Sequence, residues 1–176
     1  ANATSSLRDI VTAIILVAAE KDEVLLRLQS PGGLVNSYGL ASSQLQRLRC
    51  ANINLTASVD KMAASGGYMM ACVANRIIAA PFAIIGSIGV VAQLPNFHRY
   101  LEQKDIDFEQ ITAGQYKRTL TVFGENTDEG REKFKQELED THLLFQQHIT
   151  QFRPQLDMDQ IATGEHWYGT KALELN

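Results

Sequence analysis

Two apolar runs of this sequence each end in a glycine-rich turn that leads directly into a helical pattern. The first run, Val24–Leu28, ends at Ser30-Pro31-Gly32-Gly33, and the second, Leu55–Val59, is followed by Ser65-Gly66-Gly67. Pro31 stops sheet pairing, and glycine lets the main chain turn sharply between a strand and a helix. Both runs are apolar enough to lie inside a sheet. Strand–turn–helix units of this kind are typical of α/β proteins, whose strands pair mostly in parallel.

The same alternation of strand-like and helix-like segments continues along the chain. Helical spacing of apolar residues predicts helices, and short apolar runs predict strands. The predicted helices are Leu7–Ala18 with Ser5 or Ser6 as its cap, Leu34–Leu48, Met69–Ala74, Phe97–Gln103, a long helix that opens at Thr127 and is ended by Pro154, Asp157–Ala162 and Thr170–Leu175, and the predicted strands are Val24–Leu28, Asn54–Val59, Arg76–Ala80, Gly86–Val91 and Phe108–Thr112. This pattern predicts a single α/β domain over residues 1–176 with a largely parallel sheet. Both ends are interpreted as truncated, since no closing strand follows the last helix.

Composition and charge exclude several classes of function. The formal net charge of -4 gives no electrostatic reason to expect a nucleic-acid partner. The sequence has two cysteines, no His/Cys set at metal-ligand spacing and no phosphate-binding loop, so neither a metal nor another cofactor is expected. The longest apolar run, Ile10–Ala19, is about ten residues, which is too short to cross a bilayer, and we therefore expect a soluble chain.

Ser65 is the candidate nucleophile. It stands between small residues at a strand-to-helix turn, where a hydroxyl can be presented to a substrate. A helix N-terminus carries unpaired N–H groups and a partial positive charge, and Gly66 has no side chain to block approach to its own N–H. One turn can therefore supply both the attacking oxygen and a donor for the oxyanion that the attack creates. The alternative is that Ser65 only caps the helix.

A serine nucleophile needs a base, and the local sequence leaves the identity of that base open. His142 and His148 lie on the predicted long helix, and His98 and His166 come without an obvious carboxylate partner of the triad kind. A lysine can serve as base when burial lowers its pKa from about 10.4 towards neutrality. Lys117 is the lysine candidate of the buried type, because its loop is uncharged except for the arginine beside it.

Four motifs, taken in their order along the chain, carry a resemblance to a known family. They are Ser30-Pro31-Gly32-Gly33, Ala63-Ala64-Ser65-Gly66-Gly67-Tyr68, Gly86-Ser87-Ile88-Gly89-Val90 and Gly114-Gln115-Tyr116-Lys117. Together they resemble the signal peptide peptidase A (peptidase S49) family over essentially the whole chain. Within that family, Val91-Ala92-Gln93 and the segment Gly114–Asn126 are most similar to the SohB-type proteases.

The resemblance implies a role for each motif residue. Ser65 falls on the family's nucleophile and Lys117 on its general base, so that the two form a Ser-Lys dyad. Ser87 falls on a serine that hydrogen-bonds the lysine. The oxyanion hole would consist of main-chain N–H groups at Gly66 and in the Pro-Gly-Gly turn, where Gly33 is taken as the donor and Gly32 is its alternative.

The resemblance also implies a fold, an assembly and a location. The expected fold is similar to that of Clp-type proteases and crotonases, with repeated β-β-α units around a largely parallel sheet. The expected activity is endopeptidase cleavage of hydrophobic or unfolded peptides, such as signal-peptide remnants. The expected assembly is a homo-oligomeric ring or dome on the periplasmic side of the bacterial inner membrane, held there by an anchor that is absent from this chain.

Three other functions fit parts of the pattern. A crotonase-like enzyme acting on acyl-CoA would share the fold and the paired N–H groups but would need neither Ser65 nor Lys117. A Clp-like Ser-His-Asp protease would need a histidine near Val90, and none stands there. A non-catalytic ring that only binds hydrophobic peptides would keep its binding in a Lys117→Ala variant.

Overall fold

The computed structural model describes residues 3–175, which form seven helices and five strands. The helices are α1 (Ala3–Val17), α2 (Val35–Cys50), α3 (Gly66–Ala71), α4 (His98–Glu102), α5 (Asp128–Phe152), α6 (Met158–Ile161) and α7 (Gly169–Glu174), and the strands are β1 (Glu23–Ser30), β2 (Asn54–Ala64), β3 (Arg76–Ala79), β4 (Ile84–Gly86) and β5 (His166–Tyr168). The chain divides into two compact units. The first comprises the residues up to Gly89 together with those from Leu144 onward, and the second comprises Val90–Leu143.

The sheet of the first unit is built around the long strand β2. Strand β1 lies parallel to β2 on one side, and β3 and β4 lie parallel to it on the other. β3 pairs with the first half of β2, from Thr56 to Val59, and β4 pairs with the second half, from Met62 to Ala64. β5 then adds to β4 in the antiparallel direction. The sheet is therefore mixed but mostly parallel, which confirms the predicted α/β class.

The core of the first unit lies between β2 and the helices that cover it. Leu55 and Val59 of β2 are almost fully buried at alternate positions, as expected for a strand in the middle of a sheet. Leu45 and Leu48 of α2 and Ile149 of α5 are buried to the same degree. None of the helices within residues 3–175 has the length and apolar character required to traverse a membrane.

Most of the predicted helices are confirmed, with shifted ends. Helix α5 ends two residues before Pro154, and the hydroxyl of Thr127 accepts a hydrogen bond from the Gly130 N–H at 3.1 Å, which caps its first turn. The predicted cap of the first helix is wrong. The helix begins at Ala3, so Ser5 and Ser6 lie inside its first two turns.

Two predicted strands are wrong and one strand was missed. The strand expected at Gly86–Val91 is displaced, because Gly86 and Ser87 both have positive φ, which ends β4 at Gly86. The segment Phe108–Thr112 has no regular structure, since no neighbouring strand pairs with it. β5 was missed because it is only three residues long and depends on pairing with β4.

The second unit is organised by aromatic contacts and by hydrogen bonds from side chains to the main chain. The ring centroids of Phe97 and Phe108 lie 6.2 Å and 5.7 Å from that of Phe123. The Asn96 amide donates to the carbonyl oxygens of Thr121 and Gly124, both at 2.9 Å. Apolar contacts of this kind hold Phe108 in the unit without a strand.

Candidate active site

Ser65 occupies a strained turn between β2 and α3. Its φ of 53° and ψ of −121° lie in a region that non-glycine residues rarely adopt and that costs on the order of 1–3 kcal/mol. Its main-chain N–H donates to the Gly86 carbonyl at 2.8 Å, and its carbonyl accepts from the Met69 N–H at 3.0 Å. The half-buried side chain makes no hydrogen bond that caps α3, so the interpretation of Ser65 as a helix cap is wrong. A nucleophilic serine on a sharp strand-to-helix turn has this backbone geometry.

The turn after β1 packs directly on the Ser65 turn. A Cβ atom added at Gly32, whose φ is 93°, would lie 2.7 Å from the Ser65 Cβ and 2.8 Å from the Gly66 nitrogen. A Cβ atom at Gly66 would overlap the Tyr38 ring, and one at Gly67 would overlap the Ser30 main chain. Glycine is therefore required at these positions so that the two turns can interlock.

Hydrogen bonds of the Ser30 hydroxyl, one of them to Tyr38, hold the Pro-Gly-Gly turn in place. The Ser30 hydroxyl is buried and lies 2.7 Å from the Tyr38 hydroxyl, and it also accepts the Gly32 N–H at 3.2 Å. The N–H of Gly32 is therefore engaged within the turn. Among the described residues, no hydrogen bond of the Gly33 N–H is found. The sequence did not reveal this pair, because Tyr38 falls inside the predicted helix Leu34–Leu48 and nothing there indicates a contact with Ser30.

Ser87 begins the loop after β4, beside the Ser65 turn. The register of the parallel pair places Ala64 opposite Gly86, so Ser65 and Ser87 each follow the last residue of neighbouring strands. Ser87 is half-buried, has a φ of 53° and donates its N–H to the Glu165 carbonyl at 2.6 Å. Carboxyl ends of parallel strands are the edge at which α/β proteins generally bind their ligands.

A buried polar contact anchors the helix that starts at the Ser65 turn. The fully buried Ser42 hydroxyl donates to the Met69 carbonyl at 2.8 Å. His148 Nε2 lies 2.8 Å from the Ser42 hydroxyl and 3.1 Å from the same carbonyl, so this nitrogen carries a hydrogen. Burial lowers the pKa of His148, partly opposed by its bond to Met69. Cys72 follows the last residue of α3 and is buried, and burial raises the pKa of its thiol to about 12, so it is not a reactive thiolate.

Lys117 belongs to the second unit, where it lies in the loop after Gly114. Its N–H donates to the Gly114 carbonyl at 3.1 Å. The two residues before it contact the Glu129 carboxylate of α5, Gln115 through its amide at 3.1 Å and Tyr116 through its hydroxyl at 3.3 Å. The Lys117 side chain is exposed, so the expectation of a buried-type lysine is wrong. Gln115 and Tyr116 hold the loop in place through Glu129, but the loop does not cover the lysine side chain.

The histidines have other positions in the structure. His148 is held in the core contact at α3, and His98 lies 3.5 Å from the Glu102 carboxylate on one helix face. His166 is exposed on β5, opposite Gly86 of β4. Among residues 3–175, no group of three or more His, Cys, Asp or Glu side chains is arranged to hold a metal ion.

These features define an α/β protein in which a serine lies in a strained turn at the carboxyl edge of a mostly parallel sheet. This turn interlocks with the Pro-Gly-Gly turn that follows β1. We compared the sequence with models of known protein families. The model of peptidase family S49 matches residues 47–176, and the model of the S49 N-terminal region matches residues 1–45. The chain belongs to peptidase family S49.

Curated relatives with high identity carry protease names. The chain is 61% identical over 175 residues to "Probable protease SohB" of Haemophilus influenzae, and 64% identical over 174 residues to the protein of the same name from Buchnera aphidicola subsp. Schlechtendalia chinensis. These matches cover 99% of this chain but 50% and 57% of the two relatives, so the chain spans about half the length of the curated relatives it matches. It is also 26% identical to "Protease 4" of H. influenzae over 86% of this chain and 25% of that protein. The resemblance to SohB-type members of the family is thus confirmed.

Proposed function

We propose that this chain carries the catalytic residues of a serine endopeptidase with a Ser-Lys dyad, in which Ser65 is the nucleophile and Lys117 the general base. The observation that carries the proposal is the backbone of Ser65. The Ser65 backbone is strained, and its hydroxyl makes no hydrogen bond that caps α3, so this conformation does not stabilise the fold. It is best explained by the presentation of a nucleophile to substrate. Membership of a peptidase family supports the same reaction class.

The oxyanion would be held by the N–H groups of Gly66 and Gly33. Gly66 is the first residue of α3, where N–H groups have no partner inside the helix and the helix dipole favours negative charge. Gly33 is preferred over Gly32 as the second donor, because the Gly32 N–H already donates to the Ser30 hydroxyl. Such preorganised donors are typically worth about 3–4 kcal/mol of barrier for each donor.

The dyad works by moving one proton through Lys117 in each half of the reaction. Neutral Lys117 takes the Ser65 proton as the hydroxyl oxygen attacks the peptide carbonyl, and the C–N bond then breaks as the lysine protonates the leaving amine. Lys117 next takes a proton from a water molecule as the water oxygen attacks the acyl-enzyme. The ester C–O bond then breaks as the lysine returns that proton to the Ser65 oxygen, which releases the new carboxyl terminus and regenerates the Ser65 hydroxyl and the neutral amine. Ser87 would orient the lysine amine through its hydroxyl. A lysine acts this way only when its surroundings favour the neutral amine, so we propose that bound substrate or a further copy of the chain covers Lys117.

Substrates, assembly and location are also part of the proposal. We infer that the peptides are hydrophobic or unfolded, because Val91 and Ile111 of the second unit are 80% and 93% exposed and are available for apolar contacts. Exposed apolar side chains also suit contact between copies of the chain in a ring or dome. We further propose a fold of the Clp and crotonase type, a single peptidase domain over residues 1–176, and action on the periplasmic side of the bacterial inner membrane.

Peptide hydrolysis by the protein as its host produces it tests this function. Leucine-rich fluorogenic peptides and an unfolded protein serve as substrates. We expect Ser65→Ala, Lys117→Ala and Lys117→Arg each to lose about 1,000-fold or more of kcat, as the loss of one member of a catalytic triad does. Lys104→Ala, which removes another exposed lysine of the second unit, is the matched control and should stay active.

Three outcomes would redirect the assignment. Substantial activity in Lys117→Arg would exclude a lysine base, since arginine stays protonated. Retained chemistry on an acyl-CoA thioester in Ser65→Ala would indicate the crotonase-like alternative. Normal peptide binding without cleavage in every form of the protein would indicate a non-catalytic scaffold.

A further inference from the structure

A cavity of about 380 Å³ lies in the first unit, and none of Ser65, Ser87 and Lys117 lines it. Residues of β3, β4, β5, α6 and α7 contribute to its lining. Large apolar side chains line it, among them Ile77, Ile85, Leu156 and Trp167. The volume falls in the range of small-molecule sites, which are mostly apolar with a few placed polar groups.

The charged groups of this cavity all have the same sign. Arg76 and Arg153 line it, and no aspartate or glutamate does, although the chain as a whole has a net charge of -4. No ion pair of either arginine is present among the described residues. Arg76 is exposed, and Arg153 is half-buried.

Arg153 has donors to spare at this position. One terminal nitrogen, Nη2, donates to the Ala74 carbonyl at 2.6 Å. Its Nε is the one buried side-chain nitrogen or oxygen among the described residues that has no hydrogen-bond partner. A guanidinium has five N–H donors, and burying its charge is costly unless an anion accompanies it. The arrangement therefore favours a negatively charged ligand.

We infer that this cavity binds a carboxylate that carries an apolar chain, with the carboxylate beside Arg153 and Arg76 and the chain between Ile85, Leu156 and Trp167. Arginine and carboxylate match in geometry as well as in charge, since both are planar and pair through two parallel hydrogen bonds. Two sources supply this chemistry: a fatty acid, or the C-terminal carboxylate of a peptide that ends in an apolar residue. The inference does not depend on the proposed peptidase reaction.

The chain contains its own reporter of binding. Trp167 is its only tryptophan and lines the cavity, so its fluorescence reports occupancy of this site. The titrants are octanoate against 1-octanol, and acetyl-leucyl-leucine against its C-terminal amide. Each pair keeps the apolar part and removes the charge. We expect saturable changes in emission and binding of the acid about tenfold tighter than that of its neutral partner.

Variants assign the effect to the two arginines. Arg153→Gln should weaken acid binding about tenfold, and Arg76→Gln, being exposed, about threefold. Lys171→Gln is the matched control, because it removes a cation from α7 that pairs with Glu174 and does not line the cavity, and it should bind unchanged. Circular dichroism establishes that each variant is folded, and if Arg153→Gln is not, Arg76→Gln decides.

The outcomes are distinct. Tighter binding of octanoate than of the peptide acid identifies a lipid source, the reverse identifies a peptide source, and either supports the site. The inference is overturned if the neutral partner binds as tightly as its acid, if neither acid gives a saturable change, or if the folded arginine variants bind both acids as well as the wild type does.

Discussion

The main-chain N–H of Ser65 donates to the carbonyl oxygen of Gly86 at 2.8 Å, which ties the end of one strand to the end of its parallel neighbour. The next residue, Ser87, has the same φ of 53° as Ser65. The only other non-glycine residues with positive φ among residues 3–175 are Asn52 and Asp105. Two serines with the same unusual conformation therefore stand one residue beyond a matched pair of strand ends, and main-chain hydrogen bonding fixes their spacing.

The strain at Ser65 can be measured by comparing two substitutions. Ser65→Ala keeps the strain, whereas Ser65→Gly relieves it, since glycine adopts positive φ freely. We expect both variants to be inactive, but the glycine variant to be more stable than the alanine variant by about 1 kcal/mol in urea unfolding. Ser43→Gly, in the exposed middle of α2, is the control and should instead lose about 0.5–1 kcal/mol. Equal stability of the two Ser65 variants would refute stored strain in the turn.

The close approach of Tyr38 to Gly66 predicts the effect of adding one methyl group. Gly66→Ala would force its Cβ into the Tyr38 ring, and we expect a loss of about 1–3 kcal/mol of stability together with most of the peptidase activity. Gly39→Ala is the matched control, because a Cβ there meets nothing within 4 Å and the site is helical. That variant should gain about 0.5–1 kcal/mol. If Gly66→Ala is as stable as Gly39→Ala, the two turns are not packed as described.

The hydroxyl of Tyr38 is predicted to act on the reaction by positioning the Gly33 donor. Tyr38→Phe keeps the ring against Gly66 but removes the 2.7 Å contact with Ser30. We expect kcat to fall about tenfold while KM changes little, because the oxyanion forms only after substrate has bound. Steady-state kinetics with a fluorogenic peptide give both constants. Tyr100→Phe, in the second unit, is the control, and an unchanged kcat in Tyr38→Phe would show that the contact is purely structural.

His148 should make stability depend on pH. Because burial lowers its pKa in the folded state below the unfolded value of about 6.5, the unfolded chain binds the proton more readily. Its contribution to stability is complete above about pH 6.5 and is lost as the pH falls through the window down to the folded pKa. Tm measured from pH 8 to 5 should therefore fall less in His148→Gln than in the wild type. His98→Gln should follow the wild type, and a His148→Gln curve parallel to it would contradict this account.

The two cysteines should differ in reactivity. Cys50 is exposed at the end of α2, whereas Cys72 is fully buried with its pKa raised to about 12. We expect one thiol to react rapidly with Ellman's reagent in the native protein and the second only on unfolding. Cys50→Ser should abolish the rapid phase. A rapid phase that survives this substitution would place Cys72 within reach of solvent.

What the sequence predicts well is local chemistry. Pro31, Gly32 and Gly66 act on the backbone within a few residues of their own positions, so both strand-to-helix turns could be predicted. The start of α5 next to Thr127 could be predicted in the same way. The Ser-Lys assignment rests on motif resemblance and stays a prediction. Local patterns gave no basis for the exposure of Lys117, because burial of a loop depends on what packs over it.

What the sequence does not predict is non-local pairing. β5 exists only because His166–Tyr168 meets β4, which stands about 80 residues earlier in the chain. The Ser30–Tyr38 contact depends on how α2 is set against β1, and no periodicity encodes it. The run Phe108–Thr112 has strand-like composition but no strand beside it to accept its hydrogen bonds.

The first unit is built from two segments that are far apart in the chain, and this has a consequence for synthesis on the ribosome. Its core combines Leu55 of β2 with Phe145 and Ile149 of α5, and its sheet is completed by β5 near the end of the described chain. The segment Val90–Leu143 is translated between these parts. A nascent chain that has emerged only as far as residue 143 therefore holds an open sheet and an uncovered apolar face, which is the kind of surface that chaperones bind and that aggregates form on. Folding of this unit has to wait for nearly the whole described chain to leave the exit tunnel, and slow emergence of residues 144–175 would prolong that exposure.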